Sequence, residues 1–156
     1  MKRILLSVLL STFLPFYLAT FLLAEAKIES ISGDVTVNDA AAIVGQQLNL
    51  NDVIKTSAVS NSVIVINGHK VTVSEKTETT ISELTEDSSL LKIWLGKIRA
   101  KVNKLKAKQK FEVKTPTAIV AVRGTDFAVD VAQDGLSRLE VYEGVVLAKE
   151  ETTGSE

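Results

Sequence analysis

Residues 62–73 read Ser62-Val63-Ile64-Val65-Ile66, then Asn67-Gly68, His69, and Lys70-Val71-Thr72-Val73. Two β-branched runs flank an Asn-Gly pair. Both residues of that pair tolerate the positive φ of a tight turn, so the segment predicts a β-hairpin. The same alternation of apolar and polar residues recurs along the chain. It is seen in Ile28-Glu29-Ser30-Ile31, Val35-Thr36-Val37, Phe111-Glu112-Val113, Ala118 to Val122, Phe127-Ala128-Val129 and Leu139-Glu140-Val141-Tyr142. Thr115-Pro116, Gly124, Asp134-Gly135 and Glu143-Gly144 supply turn signals between these runs. Many short strands punctuated in this way predict an all-β single domain, built as a sandwich or an irregular β-roll.

Glycine followed by alternating apolar residues appears at Gly33, Gly68, Gly96, Gly124 and Gly144. The uneven gaps argue against a strict solenoid and suit stacked hairpins, with glycines at bends that admit close backbone approach. One segment reads two ways. Leu91, Leu95, Ile98, Val102 and Leu105 fall at helical spacing, yet Lys97 to Val102 alternate strictly. Periodicity alone does not arbitrate such a run. Gly96 and the β-branched residues favour a strand over 96–102, and a helical turn around Asp87–Leu95 stays open.

The N-terminus is an address. Met1-Lys2-Arg3 is cationic, Ile4 to Leu23 is uncharged and mostly apolar, and Ala24-Glu25-Ala26 has small residues where a signal peptidase requires them. The apolar run is long enough to cross a bilayer, so an uncleaved membrane anchor is the alternative. Pro15 and the Ala-x-Ala site favour a signal peptide over 1–26 with cleavage after Ala26. Either way residues 27–156 lie outside the cytoplasm, in the periplasm or secreted. The chain has 18 Lys+Arg against 19 Asp+Glu, and setting aside Lys2, Arg3 and Glu25 leaves 16 against 18. Residues 27–148 are expected to form the domain and 149–156 a disordered acidic tail.

Several function classes lack their residues. There is no cysteine, hence no disulfide, thiolate metal site or cysteine nucleophile. His69 is the single histidine and has no second histidine for a metal. No serine sits in a Gly-x-Ser-x-Gly turn, and Asp52 and Glu75 lack calcium-loop spacing. The expectation is a protein with no catalytic residues, no metal and no cofactor. Trp94, within Leu90-Leu91-Lys92-Ile93-Trp94-Leu95, is expected in the core.

From Phe111 to Val129 the chain reads Phe-Glu-Val-Lys-Thr-Pro-Thr-Ala-Ile-Val-Ala-Val-Arg-Gly-Thr-Asp-Phe-Ala-Val. This resembles the signature of FecR-type domains: a strand, Thr-Pro, a second strand, then Val-Arg-Gly-Thr-x-Phe. Val141-Tyr142-Glu143-Gly144-Val145-Val146 is similar to the closing strand of that family, and Gly33-Asp34-Val35 and the Asn67-Gly68 hairpin fit its opening. The resemblance spans 28–148. It assigns structural roles to Thr115, Pro116, Arg123, Gly124, Thr125, Phe127 and Gly144. It implies membrane-spanning regulators, with a cytoplasmic anti-sigma segment and a periplasmic region that receives a signal. Only Met1-Lys2-Arg3 precedes the apolar run here, so the expectation is a stand-alone envelope domain without an anti-sigma segment.

Within the motif, Arg123 next to Val122 is expected to be partly buried, satisfied by carbonyls or by Asp126 or Asp130. Nine cations lie between residues 91 and 115, with Glu112 the only anion among them. Alternation places Lys97, Arg99 and Lys101 on one face. With Lys104 and Lys106 they form a candidate surface for an anionic envelope polymer or an acidic protein partner. The competing reading is a solvated edge whose lysines discourage sheet pairing. Nucleic acid is not expected outside the cytoplasm, and no aromatic residue interleaves Lys97–Lys110 to stack bases. Two functions remain: a non-catalytic module binding a protein or an anionic polymer, or a periplasmic sensing component acting with a separate membrane regulator. Oligomeric state is not legible.

Overall fold

The Asn67-Gly68 hairpin forms as the alternation requires. In the computed structural model, which describes residues 24–150, strands Asn61–Ile66 (β5) and His69–Val73 (β6) pair antiparallel with Ile66 opposite His69. Asn67 and Gly68 take φ of 48° and 78°, the mirror-image turn that matches strand twist. Ile64, Ile66, Val71 and Val73 are fully buried while Val65, Lys70 and Thr72 face outward.

In the described residues thirteen strands make one continuous curled sheet. In chain order the others are β1 (Ala26–Ser32), β2 (Val35–Val37), β3 (Ala40–Ala41), β4 (Val53–Thr56), β7 (Glu78–Leu84), β8 (Ser88–Lys101), β9 (Lys110–Lys114), β10 (Ala118–Val122), β11 (Asp126–Val131), β12 (Ser137–Glu143) and β13 (Val146–Glu150). The described residues contain no helix, so the helical turn left open around Asp87–Leu95 is replaced by strand. Pairing decides it, because Leu90–Lys92 are hydrogen-bonded to β7 on one side and to β9 on the other. Among the described residues, only β8 with β9 pairs parallel.

The 14-residue β8 organises the rest. Its first half pairs with β7 and β9, its second half with β6 and β11. Two layers result. One runs β1-β5-β6-β8-β11-β12, the other β3-β2-β4-β7-β8-β9-β10-β13. The bend between the two halves of β8 is Gly96, at φ 88°. Beside it the Thr77 hydroxyl donates to the Glu75 carbonyl at 3.0 Å and accepts the Lys97 N–H at 3.0 Å. The chain also crosses between layers at Gly33, Gly124 and Gly144, so four of the five recurrent glycines sit at crossings and Gly68 at the hairpin. Both layers feed one core. Ile64, Val71, Ile98 and Phe127 come from the first, Ile54, Ile81, Leu91 and Val113 from the second.

Pairing extends past both expected boundaries. Ala26 is buried opposite Ile66, its carbonyl accepting the Leu48 N–H at 2.8 Å, and β13 runs through Glu150. Residues 1–23 of the expected export signal and 151–156 of the acidic tail lie outside the described residues.

His69 gives the fold a pH response. It is 8% exposed, its ring meets Phe111 edge-on at 5.6 Å, and its Nδ1 accepts the Asn103 N–H at 3.3 Å. Burial lowers its pKa below the ordinary value, because desolvation penalises the charged form. A depressed folded pKa means the unfolded chain takes up the proton first as pH falls. Stability is therefore full above about pH 6.5 and declines as pH drops through the folded value. Urea unfolding at pH 7.5 and 5.5 should show this loss, and His69→Gln should remove that part of it.

Candidate functional site

Strand alternation sets Lys97, Arg99 and Lys101 on one face of β8, with Ile98 and Ala100 buried behind. The face is not a bare cationic stripe. Lys97 Nζ meets Glu140 Oε2 at 3.0 Å. Arg99 donates from Nε and Nη2 to the two carboxylate oxygens of Asp126, each at 2.9 Å. The Arg99 guanidinium also lies 4.4 Å from the centre of the Tyr142 ring, and the Tyr142 hydroxyl donates to Glu140 at 2.8 Å. Hydrogen bonds from Arg99 hold Asp126 below the usual carboxylate range, and those from Lys97 and Tyr142 do the same for Glu140. The network spans β8, β11 and β12 and satisfies two of the three cations. These pairs lie at the surface, where solvent and salt screen them, so they add little to stability.

Lys104 and Lys106 lie in the exposed connection between β8 and β9. Lys101 and Lys104 join Arg123, Asp126 and Glu143 around an open cleft of about 350 Å³, where carboxylates interrupt the positive field. Lys106 does not line it. Among the described residues no group of three or more histidines and carboxylates could hold a metal.

The motif residues serve the crossings. Pro116 and Thr117 form the turn between β9 and β10, and the buried Thr115 closes it, its Oγ1 accepting the Ala118 N–H at 3.0 Å. Ser137 Oγ lies 2.8 Å from the same oxygen. Gly124 and Gly144 stack at neighbouring crossings. A Cβ on Gly144 would come within 2.8 Å of the Gly124 carbonyl, and the Thr125 hydroxyl donates to the Val145 carbonyl at 2.9 Å. Phe127 is completely buried. Arg123 departs from expectation: it is exposed, and no hydrogen bond or ion pair holds it among the described residues. Val122 points inward, so the next side chain points out, and Asp126 is gripped by Arg99 instead. Arg123→Ala should therefore shift the unfolding free energy by no more than about 0.5 kcal/mol, measured by urea denaturation. A larger loss would return Arg123 to the packing.

Trp94 also departs from expectation. It is 46% exposed on the outer face of β8, with Lys92 Nζ 3.7 Å from its ring centre.

A surface missed by sequence reasoning lies where both layers end. Strand β12 pairs only with β11, and β13 only with β10, so each leaves one backbone edge open among the described residues. Val141 and Tyr142 on β12, Val145 in the turn after it and Leu147 on β13 are exposed, the last two above 70%. Leu139 and Val146 are partly buried against the core beside them. The readable signal was Val145-Val146-Leu147-Ala148, four apolar residues in a row at a position where alternation should have supplied polar ones.

No curated protein matches the chain. Two crystal structures of a "putative anti-sigma factor" from Parabacteroides distasonis, at 2.50 and 1.65 Å resolution, are similar at 21% identity and a TM-score of 0.48. The match covers 62% of this chain and 50% of those, so it spans half their length. A sequence model described as FecR protein matches residues 52–147, well over half of the chain, from β4 to the middle of β13. By that match, the chain belongs to the FecR protein family.

Proposed function

We propose that this FecR-family chain is an exported, non-catalytic binding module of the bacterial envelope that docks a protein partner along β12 and β13. The observation behind this reading is the pairing of two open strand edges with four exposed large apolar side chains. Open edges offer main-chain hydrogen bonds to an added strand, and apolar neighbours supply the contact area. The basic surface supports polymer binding less well, because Lys97 and Arg99 are already held by Glu140 and Asp126. Membership of the FecR family favours the sensing version, in which the docked partner is a separate membrane regulator. Either version begins with the same docking step. An enzyme finds no support: His69 is buried against Phe111, and the carboxylates of the largest charge network are tied to cations.

Pull-down from envelope extracts at low and moderate salt tests the choice. Wild type should retain its partner at both, since an apolar interface is not screened while exposed charges are, over about 8 Å at physiological salt. Val145→Asp/Leu147→Asp should weaken capture by about tenfold or more while melting near the wild-type temperature. Lys101→Glu/Lys104→Glu/Lys106→Glu should leave it intact. Capture lost with salt, or with the lysines and not with Val145 and Leu147, would transfer the function to the anionic-polymer reading.

A further inference from the structure

The outer face of the second layer has a composition that partner docking at β12 and β13 does not use. Along β8, Leu91 and Ile93 enter the core while Leu90, Lys92 and Trp94 point outward. The chain's only tryptophan is thus placed on a sheet face with nearly half of its surface open. Cross-strand register sets what stands beside it. Lys92 lies opposite Thr80 on β7 and opposite Lys114 on β9. Lys114 lies opposite Ile119 on β10, and Ile119 opposite Lys149 on β13. One row therefore crosses five strands: Thr80, Lys92, Lys114, Ile119, Lys149. With strands about 4.8 Å apart, its three lysines span about 14 Å.

We propose that this row, with Trp94 beside it, binds a carboxylate-bearing polysaccharide. An extended sugar chain laid across the strands would meet Lys92 and Lys149 at the two ends of the row. Lys92 Nζ stands 3.7 Å over the indole, so binding would draw that ammonium onto a sugar carboxylate and free the ring for the C–H face of a sugar, while the Thr80 hydroxyl offers a hydrogen bond to a sugar hydroxyl. Charge complementarity selects an acidic chain over a neutral one. The acids of the same face argue against a lipid surface. Glu112 lies opposite Leu90 and Ala121, one row from the lysines, and Glu78 lies opposite Leu95. A flat anionic bilayer would press on both carboxylates, whereas a single polymer strand follows the cationic row between them. The indole and first lysine of the site lie on β8, away from the open edges, and Lys149 alone shares β13 with the docking surface.

The single tryptophan reports directly. The full chain titrated with polygalacturonate at low salt should show a saturable change in Trp94 fluorescence that weakens as ionic strength rises. Neutral dextran should give none. Lys92→Glu/Lys149→Glu, which keeps the reporter, should raise the apparent Kd by about tenfold or more. Trp94→Ala, followed by calorimetry, should lose binding while its circular dichroism and melting stay those of the wild type. The proposal is overturned if the fluorescence stays constant, if dextran acts as well as polygalacturonate, or if either variant binds like wild type. It is also overturned if phosphatidylglycerol vesicles change the signal while polygalacturonate does not, which would make the face a membrane contact.

Discussion

Gly96→Ala is expected to destabilise the domain by about 2–5 kcal/mol, by adding about 1–2 for a left-handed non-glycine residue to about 1–3 for overpacking. The backbone there stands at φ 88°. A Cβ would lie 2.6 Å from both the Lys76 carbonyl oxygen and Thr77 Cα, and nearer still to Thr77 Oγ1. All three atoms are fixed, two as backbone and one by its hydrogen bonds to Glu75 and Lys97. The bend is also where β8 leaves one layer for the other, so relaxation would disturb pairing on both sides. Gly45→Ala is the matched comparison. It shares a positive φ, 85°, but nothing lies within 4 Å of its added Cβ, so only the strain of about 1 kcal/mol remains. Urea unfolding of both variants separates the effects. Equal losses would mean that close approach at Gly96 is not what demands glycine.

Phe127→Ala should cost about 3–5 kcal/mol, the usual range for a buried aromatic ring. Phe127 has no exposed surface and faces Ala100 on β8 and Val141 on β12. Its ring thus joins the organising strand to the strand at the open edge. A domain of ordinary stability, about 5–15 kcal/mol, would lose a large part of its reserve. Phe127→Leu should recover more than half of the loss, since most of the volume returns. Differential scanning calorimetry of both variants checks this. A Phe127→Ala protein melting within a degree or two of wild type would remove the ring from the core.

The hairpin, the strand class and the inward–outward pattern of Lys97 to Lys101 were legible because each depends on neighbours in sequence. Trp94 shows where that logic breaks. Counting back in twos from buried Ile98 places Trp94 inside, whereas counting forward from Leu91 and Ile93 places it outside. The bend at Gly96 shifts the phase by one residue, and a one-residue shift exchanges the faces of a strand. The partners of Lys97 and Arg99 were hidden for another reason. Glu140 and Asp126 are 43 and 27 residues away, and strand order, which brings them together, leaves no local trace. The apolar edge did leave one, at Val145–Ala148, but its meaning depends on β13 having a single neighbour. Arg123 follows buried Val122 in plain alternation, and that alternation, rather than membership of a motif, sets its exposure.

The central claim is that β12 and β13 receive a protein partner. A photo-crosslinking amino acid placed at Leu147, and in a second chain at Val59, tests it in the native cell envelope. Both positions are highly exposed and apolar, at 73% and 87%, but Val59 lies in the turn before β5, away from the open edge. The account predicts a discrete adduct to a second protein from position 147 and none from position 59. No adduct from 147, equal adducts from both, or an adduct with the mass of two copies of this chain would contradict it.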